Sequence, residues 1–181
     1  YVDQNLDAYT VEYTFADGAK LYLHGRTMPG CYGDFASYAH GSKGLGIISM
    51  RGHWPAPCKI FKGQSMKDPV AWAYPGRESD PYQDEWNDLM TAIREGKPFN
   101  EADRGVKASV VTAMGRYATH TGQEATYDQV LNHDHDHSPN SDKLTMDSPA
   151  PLQMNPNGKY PVPQPGIIKD REYLQIKADR A

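Results

Sequence analysis

The residues here whose types and spacing could do chemistry fall in a few short stretches. The run Asn132-His133-Asp134-His135-Asp136-His137 alternates imidazole with carboxylate or amide, a composition that suits a divalent metal. On a strand His133, His135 and His137 would share one face; on a helix they would diverge. The run follows a short helical segment and enters a proline-rich stretch, so no regular element fixes ligand geometry or its supporting hydrogen bonds. The expectation is a solvated polar turn with no resident metal. Asp84, Glu85 and Asp88 offer paired carboxylates of the kind glycoside hydrolysis uses. They lie in the opening turns of an amphipathic segment, where the helix dipole already accounts for acidic side chains. Cys31 and Cys58 cannot build a disulfide framework, and periodicity places no histidine beside either, so two free thiols are expected.

Other possibilities are excluded by spacing. His40-Gly41-Ser42-Lys43-Gly44 lacks the GxxxxGK[ST] pattern, and an apolar β-branched run follows it rather than a helix. It reads as a turn between strands. No GxGxxG follows a strand and no GxSxG elbow appears. A net charge of −4 and a pI near 6.0, with Lys and Arg scattered singly, give no electrostatic case for nucleic acid. No apolar run approaches the roughly 20 residues of a membrane span. Trp54 and Trp72 stand in an irregular stretch and either pin loops to the core or stack on a sugar ring.

The elements that must position these groups are legible from periodicity. Tyr9 to Phe15 alternates large apolar with polar residues, the mark of a half-buried strand. Asp17-Gly18 supplies a hairpin turn, and Lys20 to Arg26 returns with Leu21 and Leu23 on one face. The other face carries Lys20, Tyr22, His24 and Arg26, and Tyr22, His24 and Arg26 are the candidates for substrate or partner contact. Phe35–Ala39, Leu45–Met50 and Cys58–Lys62 read as further short strands. Between 51 and 81 prolines and glycines interrupt anything longer.

Helices follow. Tyr82, Trp86, Leu89, Met90 and Ile93 fall on one helical face, as do Val106, Val110, Ala113, Met114 and Tyr117. Gly96 ends the first helix and Gly122 the second. Asn100 is the expected N-cap of the second, with Asp103 as a capping-box partner. Thr126 and Gln129 form a capping box for a short third helix. Both long amphipathic helices need an apolar surface to lie on. The expected organisation is α+β: a domain over 1–137, with the sheet in 1–81 and helices in 82–132. Residues 138–181, rich in Pro, Asn and Ser, form an extended tail wrapping it.

The segment from Glu85 to Asn132, EWNDLMTAIREGKPFNEADRGVKASVVTAMGRYATHTGQEATYDQVLN, resembles the C-terminal domain of bacterial oxidoreductases of the Gfo/Idh/MocA family. VEYTFADGAKLYLHGRTMPGC (11–31) and HGSKG (40–44) look like that family's sheet strands and turn. The stretch 142–173 is similar to the proline-rich tail of one bacterial branch. The extra histidines at 133 and 137 depart from that branch, which has one, nearest His135.

The resemblance implies an open-faced, mostly antiparallel sheet with helices packed on one face, following an N-terminal Rossmann domain that binds NAD or NADP. The family's catalytic lysine and Asp/His pair match no position here, so no catalytic or cofactor-binding residue is carried over. NAD or NADP is expected in the full-length protein and none on this chain alone. A chain opening on Tyr1-Val2-Asp3 fits an expectation that the chemistry lies upstream and that these residues are inactive alone. The partners implied are the Rossmann domain, a sugar-like small molecule and further copies joined through the sheet. An upstream twin-arginine signal would make the home periplasmic; otherwise it is cytoplasmic. The alternative function is a freestanding carbohydrate-binding or scaffold module using Trp54, Trp72 and the polar strand face.

Overall fold

The structure is a computed structural model that describes residues 4–52, 58–76, 79–134, 141–150 and 152–173. The fold is α+β with antiparallel sheets, as the strand and helix periodicities require. The chain divides into two compact units, residues 30–100 and residues 1–29 with 101–181.

In the second of these units, β1 (Ala8–Thr14) and β2 (Lys20–Arg26) form a two-stranded antiparallel hairpin. Its register pairs Val11 with Leu23, Glu12 with Tyr22 and Thr10 with His24. The turn is set locally: Asp17 Oδ1 accepts from the Ala19 amide at 2.9 Å, and Gly18 takes φ 86°, which a residue with a Cβ resists. An isolated hairpin is marginal in water, and helix α2 (Ala102–Thr121) supplies its backing. Val11 is buried, and the Tyr13 hydroxyl donates to the Val111 carbonyl at 3.1 Å. Gly115 allows this approach, because a Cβ there would lie 2.2 Å from the Tyr13 hydroxyl oxygen. The helix covers only the β1 side, so Leu21 and Leu23 remain 46% and 42% exposed although they share the apolar face.

Helix α2 ends at Gly122, φ 69°, whose amide donates to Ala118 O. Helix α3 (Tyr127–Leu131) opens with the reciprocal Thr126–Gln129 capping box. The start of α2 differs from expectation. Its N-cap is Glu101 rather than Asn100, and no side chain caps it. The Glu101 carboxylate is drawn to Arg104 at 2.6 Å and the Asp103 carboxylate to Lys107 at 2.7 Å. Within the expected face of α2, Val106 is exposed while Val110, Ala113, Met114 and Tyr117 are half-buried. Burial is deepest at Gly115, His120 and Thr121. Strand β1 covers Gly115 through Tyr13 and Val11, and the late tail covers the end of the helix: Gly166 N–H donates to Thr121 O at 2.8 Å, Glu172 lies 3.1 Å from His120, and Ile168 and Tyr173 are buried.

In the other unit, β3 (Ala36–Gly41), β4 (Gly44–Met50), β5 (Lys59–Phe61) and β6 (Val70–Ala73) form an antiparallel meander in chain order. The glycine-rich 40–44 segment is the β3–β4 turn, with Gly41 opposite Gly44. A Cβ at Gly44 would lie 2.0 Å from the Phe61 carbonyl oxygen, which explains the glycine. Leu45, Ile47 and Phe61 form the apolar cluster, with Met50 at its edge. Strand β6 was not expected from the sequence: flanked by Pro69 and Pro75, it becomes a strand by pairing with β5. Helix α1 (Pro81–Glu95) is capped by Asp80, whose Oδ1 accepts from the Tyr82 amide at 3.0 Å, and stops at Gly96. Its expected apolar face is largely uncovered: Tyr82, Trp86, Met90 and Ile93 are exposed, and only Leu89 is half-buried. The strands of its own unit do not pack against it among the described residues.

Candidate functional site

The β1–β2 hairpin places Tyr22, His24 and Arg26 together on the face turned away from α2. Alternation along β2 and the register with β1 bring Thr10, Glu12 and Lys20 onto the same surface. His24 Nδ1 and Thr10 Oγ1 are 3.1 Å apart, and Glu12 pairs with Lys20. The Glu12 carboxyl is held below its ordinary value chiefly by its hydrogen bond to Lys20, with smaller help from Thr14 and Tyr22. Lys20 is raised in turn by the same bond. All of these side chains are exposed. The surface alternates phenol, imidazole, guanidinium, ammonium, carboxylate and hydroxyl, an array of donors and acceptors that suits a polyhydroxylated ligand or a polar partner.

A second constellation escaped the sequence. Glu172 is 3% exposed and lies against the last turns of α2. Its Oε1 accepts from Arg116 Nε at 2.6 Å, and its Oε2 is 3.1 Å from His120 Nδ1. Burial alone would push this carboxyl up; the contacts with His120 and Arg116 outweigh it and hold the group at about 2. His120 is itself 4% exposed. The cluster joins positions 56 residues apart, and no local pattern announces such a pair. It is deeply enclosed and fastens the tail to α2, a role reinforced by Tyr117, whose hydroxyl donates to Lys169 O at 3.1 Å.

The remaining sequence candidates do not converge. His133 packs its ring against Tyr117 with centroids 5.4 Å apart and approaches Asp134 at 3.8 Å. His135 and His137 lie outside the described residues, as does Trp54. Among the described residues no group of three His, Cys, Asp or Glu side chains is placed to hold a metal ion. Trp72 is 46% exposed on β6, tilted against Tyr74 with ring centroids 6.5 Å apart. Cys31 and Cys58 are free thiols, and Cys58 Sγ donates to the Ile48 carbonyl. Of Asp84, Glu85 and Asp88, only Asp84 lies in the first turn of α1, the position favoured by its dipole; Glu85 and Asp88 follow further along the helix. No described helix is long and apolar enough to cross a membrane. Comparison with protein-family models, with curated proteins and with solved structures finds no match to this chain.

Proposed function

We propose that this chain is the substrate-binding and oligomer-forming part of an NAD(P)-dependent oxidoreductase of the Gfo/Idh/MocA type, acting on a sugar or polyol. The supporting observation is the exposed polar face of the β1–β2 hairpin, held in register by strand pairing and backed by α2. In this reading Tyr22, His24 and Arg26 hydrogen-bond substrate hydroxyls. Hydride passes between the nicotinamide of an upstream domain and a substrate carbon. The half-exposed Leu21 and Leu23 on the opposite face of β2 supply apolar surface for continuation of the sheet by another copy.

The test is a steady-state assay of the natural full-length protein with NAD or NADP and a panel of sugars and polyols. Tyr22→Phe, His24→Ala and Arg26→Ala should each raise KM by roughly tenfold, the size expected for one lost substrate hydrogen bond, with cofactor affinity unchanged. A natural protein that binds no nicotinamide cofactor would overturn the proposal. Unaltered KM in all three variants would remove the hairpin face from it.

A freestanding carbohydrate-binding module is favoured by one observation, the exposed Trp72–Tyr74 pair. Aromatic rings of this kind pack against the apolar face of a sugar. Loss of glycan retention on Trp72→Ala, in a natural protein without cofactor binding, would select that reading.

A further inference from the structure

The unit of residues 30–100 carries two uncovered apolar surfaces. One is the stripe of α1 formed by Tyr82, Trp86, Met90 and Ile93, each between 40% and 62% exposed. The other is the face of the β3–β6 sheet opposite its Leu45, Ile47 and Phe61 cluster. Register and alternation put Ala39, Gly46, Ile60 and Trp72 in one row across the four strands of that face. Tyr74 joins the large end of the row, its ring centroid 6.5 Å from that of Trp72. Ile60, Trp72 and Tyr74 are each about half exposed.

The row has a low end and a high end. Ala39 and Gly46 form a floor, where a Cβ added at Gly46 would stand 3.7 Å from the Ala39 Cβ. Ile60 and Trp72 rise beside it. Such a shelf admits bulky side chains from a helix, and Tyr82 and Trp86 project from α1 one turn apart. A helix stripe and an apolar sheet face in one unit ordinarily cover each other. Here α1 packs against none of the strands among the described residues.

Area decides how a second copy would cover them. Each of the seven large side chains leaves on the order of 100 Å² in water, about half of what an aromatic residue can bury. Two α1 stripes laid together would bury only about 800 Å² in all, and two sheet faces less, the scale of a chance contact. With α1 of each copy on the sheet of the other, both surfaces of both copies are covered. That buries roughly 1,400 Å², the size of a standard stable interface.

We infer that the chain forms a two-fold dimer by reciprocal exchange, α1 of each copy lying across the Gly46, Ile60 and Trp72 face of the other. These surfaces are not those of the β1–β2 hairpin, and the inference does not depend on the function proposed for it.

The test is sedimentation velocity of the 181-residue chain over a range of concentrations, with variants of each surface. Wild type should be a dimer. Trp86→Glu on the helix and Trp72→Glu on the sheet should each raise the dimer Kd by roughly thirtyfold or more, the loss expected of a central aromatic anchor. Tyr74→Glu, just outside β6, is a second sheet-face variant should Trp72→Glu disturb the strand, and circular dichroism checks that each variant folds. An equimolar mixture of Trp86→Glu and Trp72→Glu should recover dimer that neither forms alone. In the mixed pair one intact helix still meets one intact sheet face. Leu21→Glu, on the hairpin, should leave the dimer unchanged. A monomer at every concentration, or a dimer indifferent to either the helix or the sheet variants, would overturn the inference. So would a mixture that stays monomeric, or a dimer lost on Leu21→Glu alone, which would assign association to the hairpin.

Discussion

Replacing Glu172 by Gln keeps the shape of the side chain and removes its charge, so the substitution isolates what the carboxylate contributes. Held at about 2 against an ordinary 4.5, the ionised carboxylate is favoured in the fold by about 3 kcal/mol. Arg116 is 39% exposed, and water screens part of that attraction. A loss of about 2–3 kcal/mol is therefore expected near neutral pH, or roughly 4–10 °C in Tm for a chain of this size. The sign follows from a depressed carboxyl pKa. The contribution is complete above the unfolded value of about 4.5 and disappears as pH falls toward 2. Wild type and Glu172→Gln should thus differ fully at pH 7, by roughly half as much at pH 3, and converge only at about pH 2 and below. Urea denaturation followed by far-ultraviolet circular dichroism at these pH values measures the difference. Hydrogen exchange at Gly166 and Ile168, whose amides bond to Thr121 O and Gln164 O, reports whether the tail loosens first. An equal gap at pH 7 and pH 3, or no gap at either, would refute the assignment of the stability to this carboxylate.

Other perturbations test the packing and the hairpin. Gly115→Ala should cost about 1–3 kcal/mol, because the new methyl displaces the Tyr13 hydroxyl. Tyr13→Phe in the same chain should recover part of it, and thermal melts of the double mutant decide. Thr126→Ala removes one half of the α3 capping box and should cost about 1 kcal/mol, seen as faster amide exchange at Gln129 and Val130. Lys20→Met should return the Glu12 carboxyl toward its ordinary value, since the bond to Lys20 is the main cause of its depression. Carbonyl chemical-shift titration of Glu12 checks this, and an unchanged midpoint would contradict the pairing.

What was legible in the sequence was what a few neighbouring residues determine. The Asp17-Gly18 turn, the glycine stops at 96 and 122, the Thr126–Gln129 box and the Ser42-Lys43 turn depend on backbone sterics and hydrogen bonds within one turn of chain. Strand alternation also put Tyr22, His24 and Arg26 on one face without knowledge of the fold. The N-cap of α2 is Glu101 rather than Asn100 and makes no side-chain cap; the Glu101 and Asp103 carboxylates pair with Arg104 and Lys107 instead, a choice between partners that residue type alone does not settle. Strand β6 has too few residues to declare itself and exists through its partner β5. The distribution of strands between two sheets, the exposed stripe of α1 and the Tyr13–Gly115 approach follow from which surfaces meet. So does the burial of Glu172 between Arg116 and His120. A carboxylate near a chain end reads as solvated in any local window. Only tertiary packing removes its water and places the two basic side chains that make burial tolerable.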